Sequence, residues 1–175
     1  MLTRRTGLIA LTTVVLTGAT TLAVQSSAMA APPAARGIAH LNTQVDLPAG
    51  VWTDIPVQVV LPRAGTYELD ANVRGRLSGT PAINTYITAR LWDVTTGAEV
   101  PQSERLVYQI IDTNAGNAQA GGNATAPISE LIQVGGPTVI GLQATDTNAA
   151  GAADIAQIYS DGRGYTSLRY DRVGP

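Results

Sequence analysis

The chain contains no cysteine, no phenylalanine and no lysine, and it has one histidine; aromatic residues make up 5% of it and charged residues 14%. Without cysteine there is no disulfide framework and no thiolate to ligate metal or act as a nucleophile. Packing, and association with other chains, must therefore supply the stability. Every cationic side chain is arginine, 11 in all against 13 acidic residues, for a net charge of −2. That balance excludes the clustered Lys and Arg needed to neutralise a phosphate backbone, and with it a nucleic-acid partner. Helical periodicity is also nearly absent beyond the first thirty residues, which disfavours parallel sheets, since their crossovers need a helix.

What is present begins with a leader. Met1 to Ala30 reads as a secretory signal peptide: Arg4 and Arg5 supply a charged start, Leu8 to Leu16 and Ala19 to Val24 an apolar stretch, and Ala28-Met29-Ala30 a small-x-small cleavage site. Thr residues and Gly18 interrupt the apolar stretch, which falls short of the roughly 20 residues that span a bilayer, so cleavage rather than anchoring is expected. The run Thr3-Arg4-Arg5-Thr6-Gly7-Leu8 hints at twin-arginine export, but Gly7 stands where an aromatic would help, and general secretion from a bacterial-type cell is preferred. The expected product is extracellular, starts near Ala31 and has no membrane contact after cleavage. Its 145 residues suit a single domain over 38–175, preceded by a short tether over 31–37. Loss of the leader leaves nine arginines against 13 acidic residues, a net charge of about −4.

Two-residue periodicity dominates the rest. Tyr67 to Arg74 alternates apolar and polar residues at every step, which predicts one buried and one wet face. The same pattern predicts eight more strands, at Ile38 to Val45, Val51 to Leu61, Ile83 to Trp92, Ser103 to Ile111, Ala126 to Val134, Pro137 to Thr145, Asp154 to Ser160 and Tyr165 to Val173. The second should be broken near Asp54 to Pro56, because proline cannot donate to a ladder. Asp93 to Gly97 and Asp161 to Gly164 carry hairpin turn chemistry, and Asp112 to Thr125 and Asp146 to Ala153 read as longer loops. Nine short strands with turns between them indicate an all-β antiparallel sandwich or barrel.

Leu41, Trp52 and Val59, followed by Gly65-Thr66-Tyr67-Glu68-Leu69, keep the spacing of apolar and aromatic positions before a G-x-Y-x-apolar strand. In this the chain resembles the globular head of the complement recognition subunit, a member of the tumour-necrosis-factor-like superfamily. The run Asp161 to Tyr170 is similar to the closing hairpin of that superfamily. Asp46 stands one place off the motif, and Leu69 and Ala71 replace aromatics. The resemblance implies a jelly roll of about nine to ten strands in two sheets and, commonly, a homotrimer.

The search for chemistry is mostly negative, and no catalytic residue and no cofactor is predicted. His40 reads as exposed or hydrogen-bonded rather than as part of a triad. Glu99 and Glu104 have the composition of a glycosidase pair but opposite parity, so one continuous strand would turn them to opposite faces. Asp112, Asn114 and Asn117 in one loop, and Asp146, Asn148 and Asp154 in another, are oxygen ligands of the type calcium takes. Turn chemistry explains them better, and no metal site is predicted. Asn123-Ala124-Thr125 matches a glycosylation sequon.

The most suggestive surface is the outward parity of Ile83 to Trp92, where Tyr86, Arg90 and Trp92 share one face with Asn84 and Thr88. Either a second layer covers these aromatics, or they form a patch for a partner protomer or a flat ligand. The sequence therefore predicts a secreted, non-catalytic interaction or structural protein that self-associates through a sheet face, with Tyr86, Arg90 and Trp92 as the candidate interface. The alternatives are an exported carbohydrate-binding module that stacks a cell-surface or other glycan on Trp92 or Tyr86, and, third, an extracellular hydrolase.

Overall fold

The computed structural model describes residues 36–116 and 118–175; the leader, the tether up to 35 and Asn117 lie outside them. In chain order the strands are β1 (Arg36–His40), β2 (Val45–Asp46), β3 (Thr53–Leu61), β4 (Gly65–Gly79), β5 (Ile83–Asp93), β6 (Ala98–Glu99), β7 (Arg105–Asp112), β8 (Ala120–Val134), β9 (Thr138–Ala150), β10 (Ile155–Ile158) and β11 (Ser167–Gly174). They form two antiparallel sheets with no helix among the described residues.

The alternation first seen at Tyr67 organises the six-stranded sheet. It persists through all 15 residues of β4, which places Tyr67, Leu69, Ala71, Val73 and Leu77 inward, essentially without exposure. Along one edge β4 pairs residue for residue with β8. Its other edge is shared end to end by β11, which carries β1, and by β10, which carries β2. The five-stranded sheet runs β3, β9, β5, with β7 and β6 side by side along the far edge of β5. Eight of these strands, β1, β11, β4 and β8 facing β3, β9, β5 and β7, make an antiparallel jelly-roll sandwich.

Between the sheets lie Ile55, Leu61, Ile87, Leu91, Ile128, Ile140 and Leu142, all at most 1% exposed. Burial of each side chain of this size contributes about 1.5–3 kcal/mol, which is how a domain without disulfides holds together. Tyr67 adds a satisfied polar tip: its hydroxyl donates to the Arg63 carbonyl at 2.9 Å, and its ring meets that of Tyr170 edge-on at 5.7 Å.

Several expectations need correction. Ile38 to Val45 is not one strand, because β11 and β10 divide the edge of β4 and the chain must cross from one to the other. It breaks at Leu41, which turns fully inward and donates its amide to the Thr166 carbonyl at 2.8 Å. The other additional strand is β6, which returns from the turn foreseen at Asp93 to Gly97. There the Asp93 carboxylate accepts from the amides of Thr95 and Thr96, and Gly97 takes φ +69°. The foreseen turn at Asp161 to Gly164 closes with two reciprocal backbone bonds of 3.0 and 3.1 Å.

Both long loops are shorter than expected, since β8 starts at Ala120 and β9 continues to Ala150. Strand β1 begins at Arg36, within the stretch read as tether. The break near Pro56 is a register shift between Ile55 and Gln58, not an interruption of β3. Ser103 falls outside β7 because its buried hydroxyl replaces a ladder bond, accepting from the Leu91 amide at 3.0 Å. Thr166 likewise precedes β11, bonding through its hydroxyl to the Tyr159 carbonyl at 2.9 Å.

Candidate functional site

Strand β5 is central to the five-stranded sheet, and its parity is as the sequence indicated: Ile83, Thr85, Ile87, Ala89 and Leu91 are buried, and Asn84, Tyr86, Thr88, Arg90 and Trp92 face outward. The outward residues are half-buried, because neighbouring strands bring polar groups alongside them. Register places Gln143 of β9 beside Arg90, and Asp54 of β3 beside Gln143. Glu99 of β6 lies opposite Trp92.

The result is a bonded row across four strands. Arg90 donates from Nε and Nη2 to Gln143 Oε1, at 3.0 and 2.9 Å, and from Nη1 to Glu99 Oε2 at 3.0 Å. Gln143 Nε2 donates in turn to Asp54 Oδ1 at 2.8 Å. The Arg90 guanidinium also lies over two indoles, 3.9 Å from the centre of Trp52 and 4.8 Å from that of Trp92. Each such contact is worth about 0.5–2 kcal/mol, more as the cation is desolvated, and the Arg90 side chain is only 15% exposed. Trp92 is therefore not a bare plate, and the cation covering it already has partners for its nitrogens.

Tyr86 stands apart from this row. It lies opposite Gln109 of β7, whose amide bonds Asn84 at 3.0 Å. On the same outward face β7 presents Ile111, opposite Asn84, and Leu106, opposite Thr88, which are 64% and 53% exposed. Across the seam between the sheets, Arg105 of β7 and Glu130 of β8 form an ion pair at 2.8 Å, and the next residue, Leu131, is 68% exposed. The three candidates thus share one sheet face, but Arg90 and Trp92 form one group, and Tyr86 belongs with the apolar side chains of β7.

Most of the other residues weighed from sequence have structural partners. His40 is exposed, its ring centre 5.1 Å from that of Tyr165. Glu99 is engaged by Arg90, while Glu104 is exposed at the start of β7. Asp112 accepts from the Asn114 amide at 3.0 Å, and Asn148 from the Ala153 amide at 3.0 Å, which is the turn chemistry expected of them. Asp46, Asp146 and Asp154 line one cleft, yet no group of three potential ligands arranged for a metal occurs among the described residues. Asp146 is nearly fully buried, and that burial raises its pKa against the opposing effect of the Thr85 hydroxyl, which donates to it at 2.9 Å.

Sequence reasoning missed Trp52, Asp54, Glu99 and Gln143 as parts of the row. The one available signal was Gln143, a polar residue within the apolar run Val139 to Ala144, which a central strand tolerates only with a partner.

No protein-family model matches the chain, and no curated protein does. Among solved structures it is similar to VP2 of infectious bursal disease virus, in derived T=1 particles of a variant, with 13% identity over 78% of this chain and 31% of that one and a TM-score of 0.47. A chain of the T13 viral particle of that virus shows 14% identity over 79% and 35% of the two chains, with a TM-score of 0.44. Eiger TNF from S. frugiperda shows 9% identity over 79% and 91%, with a TM-score of 0.42. The chain spans about a third of the length of the capsid chains it matches. These are likenesses of fold alone.

Proposed function

We propose that the protein is a secreted, non-catalytic association module that forms a homotrimer through the outward face of its five-stranded sheet and the adjoining β7–β8 side. The observation that carries this is the exposure of Leu106 and Ile111 on β7, on the sheet face that carries Tyr86, with Leu131 exposed across the seam on β8, the strand that ends the other sheet on the same side of the sandwich. Each large apolar side chain left in water forgoes burial energy that a partner would return. A closed ring of three needs two different contact patches per protomer, not one self-complementary patch. The second is available at the far edge of the six-stranded sheet, where Ile38 and Tyr165 are each 57% exposed.

Secretion, the bacterial character of the leader and kinship with the complement head belong to the same proposal; they are supported by the leader's charge and hydropathy pattern and by the spacing from Leu41 to Leu69. Light scattering on the purified protein tests the assembly. A mass of three chains is expected, falling to one in Leu106→Glu combined with Ile111→Glu. A wild-type monomer at micromolar concentration overturns the trimer.

The Trp52 and Trp92 pair favours a second reading, a glycan-binding face. It requires a saccharide to compete with Arg90 for the indoles. A soluble-glycan pull-down that is lost in Trp92→Ala separates it from self-association.

A further inference from the structure

On the outer face of the six-stranded sheet, which does not carry the tryptophan row, β4 presents Arg74 and Arg76 on the same side, two positions apart. Like charges at that spacing repel. Here both are also drawn to one ring: the guanidinium carbons lie 4.6 and 4.4 Å from the centre of Tyr159, itself only 3% exposed. Arg74 is compensated by Asp161, at 2.6 Å from Nη1, and also bonds the Gly164 carbonyl and, through Nη2, the Tyr159 hydroxyl at 3.3 Å. Arg76 donates from Nε to Asn123 Oδ1 at 3.3 Å and has no ion-pair partner among the described residues.

A cavity of about 300 Å³ is lined by Arg74, Asn123, Thr125, Tyr159, Asp161 and Arg163; Arg76 stands beside it, held to Asn123 and over the Tyr159 ring. Its polar lining is rich in donors. Asn123 spends its oxygen on Arg76, which turns its amide nitrogen into the available group. The hydroxyl of Thr125 and the guanidinium of Arg163 have no bond to another described residue. The one carboxylate, Asp161, already accepts from Arg74 and from the Arg163 amide at 2.8 Å. Arg74, Arg76 and Arg163 against Asp161 leave two positive charges uncompensated, in a protein whose net charge is −2.

The geometry points to an oxyanion-binding site in this cavity, with Arg163 as the charged fork, Asn123 and Thr125 as neutral donors, Arg74, fixed by Asp161 and Tyr159, as the rigid wall, and Arg76 adding its charge from behind Asn123 and Tyr159. Phosphate or sulfate fits this donor set, since guanidinium forks match their oxygens pairwise and the two free charges equal theirs. The anion reaches the site as the free ion or as an ester on a larger molecule, because the cavity opens on the sheet surface.

The test is a titration of the full-length protein with inorganic phosphate, and separately with glycerol 3-phosphate. Binding is followed by the NMR shifts of the arginine Nε–H groups, with chloride at matched ionic strength as the baseline. Saturable shifts at Arg74 and Arg76 are expected. Arg163→Gln, in an exposed turn, and Arg76→Gln should each weaken binding about tenfold, while Arg169→Gln, on the same face but paired with Asp70, should leave it unchanged. Tighter binding of the ester identifies a phosphorylated or sulfated molecule as the ligand, and equal binding identifies the free ion. Shifts that do not saturate, or that weaken equally in all three variants, overturn the proposal.

Discussion

The guanidinium of Arg90 lies 3.9 Å above the centre of the Trp52 ring, although Trp52 immediately precedes β3 and Arg90 stands on β5, with β9 between the two strands. The contact depends on register: β3, β9 and β5 must align Asp54, Gln143 and Arg90 in one row before the indole and the cation meet. The row reports on the alignment of β3, β9, β5 and β6.

Arg90→Ala should therefore lower stability by about 2–3 kcal/mol, from two cation–π contacts and the loss of partners for Gln143 and Glu99. Trp52 and Trp92 are the chain's two tryptophans, so its indole emission reports this site alone. A shift to longer wavelength is expected in the folded variant. Arg90→Lys keeps the charge but loses the fork to Gln143, and should fall between.

Leu69 is fully buried and its neighbour Glu68 is exposed, on the strand with the clearest alternation. Leu69→Ala should cost about 2–5 kcal/mol and Glu68→Ala within about 0.5 kcal/mol of nothing. Chemical denaturation of both variants checks this, and equal losses would contradict the observed facing of β4.

That strand also shows what sequence could and could not convey. Tyr67 to Arg74 was legible because large apolar residues alternate with charged ones. The continuation to Gly79 was not, because the inward positions include Gly75 and Gly79, which look like turn residues. A side chain at Gly75 would place its Cβ 2.7 Å from Val107 Cγ1, so the glycine is there for close packing. The same holds where β8 begins. Gly121 and Gly122 read as loop, yet Cβ atoms there would meet Ser78 and the Tyr108 hydroxyl at 2.5 Å. At the candidate site, parity within β5 was legible from Ile83 to Trp92. The partners of Arg90 were not, since register between strands distant in sequence leaves no local trace.

Asp146 gives a pH dependence of unusual sign. Its folded pKa is raised by burial above the ordinary 3.8, so it favours the folded state while protonated. That contribution is complete below about pH 3.8 and is lost as pH rises through the higher folded value. Asp146→Asn should raise Tm at pH 7, and the gap should close as pH falls toward 3.8. Thermal scans of both proteins across that range decide it.

Asp70 runs the other way. The Ser129 hydroxyl, at 2.6 Å, and then Arg169 lower its pKa, so its contribution is present above pH 3.8 and lost as pH falls through the depressed folded value. Arg169 is 55% exposed and solvent weakens the pair, so Asp70→Asn should cost no more than about 1 kcal/mol at pH 7.

If Ala28-Met29-Ala30 is read by a signal peptidase, protein from the culture medium should start at Ala31 or within a residue or two of it, by intact mass. Recovery of the intact leader in the membrane fraction would contradict secretion.

The pairing of β1 with β11 joins the first described strand to the last. A chain that emerges from a ribosome or a translocation pore in sequence order cannot seat β1 until Ser167 to Gly174 has come through, nor complete the far side of β4 until then. Contacts of such long range form slowly, and the early strands wait with their apolar faces uncovered. The jelly roll is thus barred by its topology from closing before Ser167 to Gly174 has been delivered.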